Sequence, residues 1–250
     1  MSPALDTTTR ENSFPSTRWT VVHQAADSQT ESQHALSALS ELCQIYWRPV
    51  YVFLRRQGVA EHDAQDLTQG FFADLIESRS YIRADPTKGR FRSFLLGTLK
   101  HFVAHARDRE RAQKRGGASV TVQLDEAAIS EAETYASRSS HFSADGVFER
   151  EWAASLARQT LDRVAQEYEL GGKGVLFEAL KSRLTAREAS AIPYEELANR
   201  LGRTLAHLRV DVTRLRARYR AILREEVSGT VVDSRDVDEE LRYLRQAMAS

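Results

Sequence analysis

The residues with the clearest chemical purpose are arginines, and their spacing suits binding rather than catalysis. In residues 193–219, PYEELANRLGRTLAHLRVDVTRLRARY, Ala198 stands where two helices would cross and Gly202 where the chain would turn between them. Leu197, Leu201, Leu208 and Val212 supply an apolar seam. The second helix then carries His207, Arg209, Val210, Thr213, Arg214 and Arg216 outward. Such a row fits the major groove of DNA, where an arginine bidentate to guanine discriminates by about 1–3 kcal/mol. The same spacing also fits a plain helical hairpin with a solvated arginine face.

A second set lies in residues 81–115. Tyr81, Phe91, Phe94 and Phe102 alternate with Arg90, Arg92 and Lys100, and a basic run follows at Arg107, Arg109, Arg111, Lys114 and Arg115. Single-stranded nucleic acid is held by this combination: cations follow the phosphates, and aromatic stacking contributes about 1–3 kcal/mol per base. Phe94 and Phe102 fall on the apolar face of the expected helix, which leaves Phe91, at the loop junction, as the aromatic open to a base. A solvated basic helix is the alternative. In a third set, Asp63, Asp66, Gln69 and Asp74 line the polar face of a helix whose inner face is Leu67, Phe71 and Leu75. No Lys or glycine-rich phosphate loop accompanies these carboxylates, so they read as a partner-binding stripe or a solvated face.

Enzymatic constellations are weak. His101 and His105 have the spacing of a zinc helix, but Phe102 stands where that motif needs Glu. Residues 171–174, GGKG, lack the spacing and the Ser/Thr of a phosphate loop. Cys43, the lone cysteine, falls on an apolar helical face and excludes an internal disulfide. No catalytic residue, cofactor or metal site is expected.

Composition limits the scaffold that can hold these sets. The 250 residues are 42% hydrophobic and 28% charged, enough for one large or two small domains with buried cores. The longest apolar runs, near 50–54 and 94–99, fall short of the roughly 20 residues a membrane helix needs. Residues 1–12 carry no apolar stretch of a signal peptide. A cytoplasmic protein without a membrane partner is expected. Basic and acidic residues balance at 35 each, yet they are sorted along the chain. Residues 88–115 set nine basic side chains against Asp108 and Glu110, and residues 200–224 set eight arginines against Asp211. Acid gathers in 125–149 and 225–240. Two basic segments with acidic connectors suit two contacts on one polyanion.

The periodicity predicts an all-α chain of two helical domains joined by a flexible acidic linker. Its parts are a polar N-terminal segment (1–30), a first helical domain (31–115), the linker (116–146), a helix-turn-helix domain (147–227) and an acidic C-terminal extension (228–250). Pro49 is expected to bend or restart the first helix, residues 120–124 to allow a short strand, and residues 175–184 to form one helix. The extension has Val237, Leu241, Leu244 and Met248 at helical spacing and carries Asp236, Asp238, Glu239 and Glu240. It is read either as an acidic helix folding back on an arginine surface to restrain DNA binding, or as a docked stabilising helix.

Taken in order, DAQDLTQGFF (63–72), GRFRSFL (89–95) with its basic continuation, and the 193–219 segment resemble a bacterial RNA polymerase sigma factor of the sigma-70 family, extracytoplasmic-function (ECF) type. FPSTRW at 14–19 and VDEELR at 237–242 resemble one subgroup of such factors. The resemblance implies core RNA polymerase and promoter DNA as partners, leaves open whether an anti-sigma factor is a further one, and implies no catalysis by the chain itself. It implies that Asp63, Asp66, Gln69 and Phe72 bind the polymerase. Arg90, Phe91, Arg92, Lys100 and His101, with Arg107, Arg109, Arg111, Lys114 and Arg115, would meet the melted −10 region. His207, Arg209, Val210, Thr213, Arg214, Arg216 and Arg218 would meet the −35 duplex. Lys100-His101 and Phe94 depart from an Arg-Asn pair and a tryptophan that many relatives carry. A polymerase-independent helix-turn-helix regulator is the alternative function.

Overall fold

A computed structural model describes residues 33–85, 90–112, 126–138, 142–185, 192–231 and 234–249. The expected strand at 120–124, the N-terminal segment, Lys114 and Arg115 lie outside them. Every regular element among the described residues is helical.

Helix α1 (Gln33–Arg56) is the centre of the packing. Leu39, Leu42, Cys43 and Tyr46 are buried, and so is every residue from Val50 to Leu54. It runs through Pro49 without restarting. Proline there removes one backbone donor, and the burial of the five residues that follow offsets the loss. Burial pushes the Cys43 thiol up to about 12.

Helix α2 (Glu61–Glu77) begins with Glu61 and Asp63, whose carboxylates oppose the positive end of the helix dipole. It buries Ala64, Thr68, Phe71, Phe72 and Leu75. Arg79, at φ 50°, turns the chain into a 3-10 turn (Ser80–Arg83). Helix α3 (Phe91–Ala112) follows and lays Leu95, Leu99 and Val103 on the same core.

The acidic region read as a flexible linker contains a helix, α4 (Glu126–Arg138). Ile129 and Ala132 enter the core, while its acids meet arginines of α1. Glu131 accepts from Arg48 at 3.0 Å, and Glu133 Oε2 accepts from Arg55 Nε at 2.7 Å. Acidity that reads as solvated in sequence is here the complement of α1, and this corrects the linker expectation for residues 126–138.

Helix α5 (Ala144–Leu170) starts at Ser143, whose hydroxyl accepts from Gly146 N at 3.1 Å, and stops at Gly171. The helix expected over 175–184 is two short ones, α6 (Gly174–Leu180) and α7 (Ser182–Thr185). Then come α8 (Tyr194–Leu201), α9 (Leu205–Ser228), a 3-10 turn (Ser234–Asp236) and α10 (Val237–Ala249).

Two apolar cores result. The first gathers α1 to α4, the start of α5 through Phe148, Trp152 and Leu156, the end of α9 through Val227, and α10 through Val237 and Leu244. The second gathers Val164 of α5, Phe177 and Leu180 of α6, Leu197 of α8, and Leu208, Val212, Leu215 and Ile222 of α9. Helices α5 and α9 each contribute to both. Among the described residues no helix is long and apolar enough to cross a membrane.

Candidate nucleic-acid interface

The turn between α8 and α9 rests on Gly202, at φ 60° and ψ 33°. A Cβ there would meet nothing within 4 Å, so the backbone conformation alone favours glycine. Arg203 N donates to Ala198 O at 2.9 Å and closes the turn. Thr204 Oγ1 accepts from His207 N at 3.3 Å and opens α9. Leu197, Ala198, Leu208 and Val212 are buried on the facing sides.

The opposite side of α9 exposes His207, Arg209, Val210, Thr213 and Arg214. Among the described residues no carboxylate forms an ion pair with Arg209 or Arg214, although Asp211 between them pairs with Arg203 at 2.7 Å. Among the described residues two guanidiniums therefore stand without an acid on the exposed side of α9. Arg216 is half-buried, and its Nη2 donates to Arg183 O at 3.2 Å. Arg218 grips both oxygens of Glu167 on α5, at 2.7 and 2.5 Å. That pairing holds the Glu167 carboxyl below its usual range and makes Arg218 a clasp between α5 and α9 rather than part of the open face.

The α3 set divides more sharply. Phe91, the aromatic expected to be open to a base, is 1% exposed and meets Tyr46 edge-on with ring centres 5.8 Å apart. Arg92 is 3% exposed. Its guanidinium lies 4.4 Å from the ring centres of both Trp152 and Tyr243. Its Nε donates to Glu149 Oε2 at 2.6 Å, and Nη1 donates to Glu240. Neither residue meets solvent. Their partners come from α1, α5 and α10, far along the chain, which is why spacing within α3 could not place them. Arg90 is half-buried and pairs with Glu239 and Glu240. Lys100 is exposed and pairs with Asp145 at 2.5 Å. Arg107, Arg109 and Arg111 lie on the last turns of α3, with side chains outside the described part.

What α3 does present is a concavity of about 500 Å³ beside the 3-10 turn, lined by Ser80, Arg83, Ser93, Phe94, Thr98 and His101. Phe94, expected in the core, packs against its edge while keeping part of its surface open to the concavity, and Arg83 and His101 are exposed. Ser80 Oγ is buried without a hydrogen-bond partner among the described residues. An aromatic face, hydroxyls and a cation together can stack a planar base and bond its edge. Sequence reasoning missed Ser80 and Thr98 and reached Arg83 only as part of the loop 81–91. The signal lay in Arg79-Ser80, where a tight turn brings the end of α2 against the first turns of α3.

On α2, Asp63 and Asp66 are exposed, and His62 Nδ1 lies 3.4 Å from Asp66 Oδ2. Gln69 is half-buried. Phe72 is 0% exposed, with its ring centre 5.3 Å from that of Phe71, so it is core and not available to a partner. The rings of His101 and His105 stack at 6.3 Å. Among the described residues no group of three His, Cys, Asp or Glu is arranged to hold a metal ion.

No protein-family model matches the chain, and no curated protein or solved structure matches it.

Proposed function

We propose that the chain is a cytoplasmic transcription initiation factor of the bacterial sigma type, which binds core RNA polymerase and directs it to promoters through two contacts. The observation that carries the reading is the exposed side of α9, where Arg209 and Arg214 are exposed and, among the described residues, unpaired, on a helix entered through the Gly202 turn. In this reading α8 and α9 act as a helix-turn-helix on duplex DNA, with phosphate contacts setting position and base contacts setting the site. The concavity at Phe94 and His101 takes an unstacked base, whose extrusion costs a few kcal/mol and needs a matching pocket. Asp63 and Asp66, exposed on α2, offer acidic contacts to the polymerase.

Run-off transcription with purified core polymerase on a promoter library tests the proposal. The wild-type chain is expected to direct specific starts. The double variant Arg209→Ala, Arg214→Ala is expected to lose them while still binding core polymerase. Its salt slope of DNA binding should fall by about 1 for each phosphate no longer neutralised. A chain that directs no start on any template is not an initiation factor. A footprint on duplex DNA without polymerase would mark the polymerase-independent regulator instead.

A further inference from the structure

The N-terminal turn of α10 sets three consecutive carboxylates against arginines on two other helices. Asp238 Oδ1 lies 2.5 Å from Arg224 Nη1 on α9. Glu239 Oε1 lies 3.4 Å from Arg90 Nη2, at the start of α3. Glu240 reaches deepest: it is 0% exposed, pairs with Arg92 Nη1, and has Oε2 2.8 Å from Arg90 Nε. This last contact is an ion pair without hydrogen-bond alignment, so one buried oxygen of Glu240 is incompletely satisfied. Tyr243, one turn on, spreads its ring over both guanidiniums, at 5.6 Å from Arg90 and 4.4 Å from Arg92.

Arginine pairs hold carboxylate and phosphate by the same geometry, two planar forks meeting two oxygens. The geometry points to α10 as an internal stand-in for a phosphate: Glu239 and Glu240 occupy an anion site at Arg90 and Arg92 whose exchangeable ligand is a phosphodiester of single-stranded nucleic acid. The location fits that ligand. Ser93 and Phe94, the next residues of α3, line the concavity that would hold a base, so a strand entering there passes its backbone over Arg90. When α10 leaves, Arg92 keeps Glu149 but Arg90 loses both of its acids. Arg90 is therefore the cation that changes hands. The tether makes α10 a strong competitor, because an attached ligand acts at high effective concentration. The free chain is consequently biased closed, and polymerase or a second contact lowers the strand concentration needed to open it. This inference rests on reading the α3 surface as a nucleic-acid surface.

Fluorescence anisotropy of a labelled oligothymidylate with the purified full chain, without polymerase, tests it. The variant Glu239→Gln, Glu240→Gln keeps the shape of α10 and removes the competing charge. It is expected to bind the oligonucleotide about tenfold tighter than wild type, an ordinary size for coupling between two sites. Adding Arg90→Ala is expected to abolish that gain. The control Glu126→Gln, Glu169→Gln changes net charge equally at exposed acids on α4 and α5, outside the anion site, and is expected to gain nothing. A gain in the control equal to that of the Gln pair, or no gain in the Gln pair, overturns the proposal. In the wild-type chain, saturating oligonucleotide is expected to speed amide hydrogen exchange across residues 237–249, and unchanged protection there also overturns it. Failure of run-off transcription with core polymerase would strike the initiation-factor reading alone, since the exchange at Arg90 is measured without polymerase.

Discussion

At the scale of single residues, identity sets what a side chain can do and its neighbours set what it does. Arg92 and Arg209 have the same guanidinium. One is buried between two aromatic rings and two carboxylates, the other is exposed and has no acid partner among the described residues. Arg55 gives a third outcome, a half-buried cation whose Nε donates to Glu133 Oε2 at 2.7 Å while Tyr51 Oη donates to the same oxygen at 2.9 Å. The Arg55 hydrogen bond, with help from Tyr51 and against desolvation, holds the Glu133 carboxyl below its usual range. Its contribution to stability is therefore complete above the unfolded glutamate value of about 4.3. It is lost as pH falls from there through the lower folded value. Glu133→Gln is expected to cost about 1.5–3 kcal/mol at neutral pH. Denaturant titrations across the acid range should show the gap between variant and wild type closing as pH falls. A gap that does not change with pH would mean the carboxylate charge contributes nothing. The spacing of arginines was legible in the sequence, but their burial was not, because Glu149 and Glu240 lie 57 and 148 residues from Arg92.

At the scale of elements, periodicity located most helices and missed those whose apolar stripe is narrow. Helix α4 buries only Ile129 and Ala132 fully and shows solvent a run of Ser, Thr and Glu. Its register is set by ion pairs to Arg48 and Arg55, which no local window contains. The α8–α9 turn was legible for the opposite reason, since Gly202 and Thr204 carry its geometry in their own chemistry. Gly202→Ala is expected to cost about 1–2 kcal/mol from the left-handed backbone alone, because its Cβ would strike nothing. Thr204→Ala is expected to cost about 1 kcal/mol through the missing cap. Thermal melts of each variant check both values. A Gly202→Ala chain as stable as wild type would show that the turn tolerates another conformation.

At the scale of the whole molecule, two apolar cores share two helices. Helix α5, at about 1.5 Å per residue close to 40 Å long, runs from Trp152 in the first core to Val164 in the second, and α9 returns from Leu215 to Val227. The sequence reading of separate lobes on a flexible connector assigns residues 147–170 to the second lobe, because helical spacing alone does not say which neighbours a face will meet. Shared helices couple the cores. Leu215→Ala, in the second core, is expected to cost about 2–5 kcal/mol. It should lower the unfolding midpoint seen by the tryptophans of the first core, Trp47 and Trp152, as much as the midpoint seen by helical circular dichroism. Divergent midpoints would show that the cores unfold separately.

The interior position of Cys43 has a temporal consequence. As the lone sulfhydryl of the chain it is shielded inside the first core and kept protonated, so electrophiles and oxidants find no anion to attack while α1 stays packed. Its reactivity then follows the breathing of that core, so the rate at which a thiol reagent modifies it reports how often α1 unpacks.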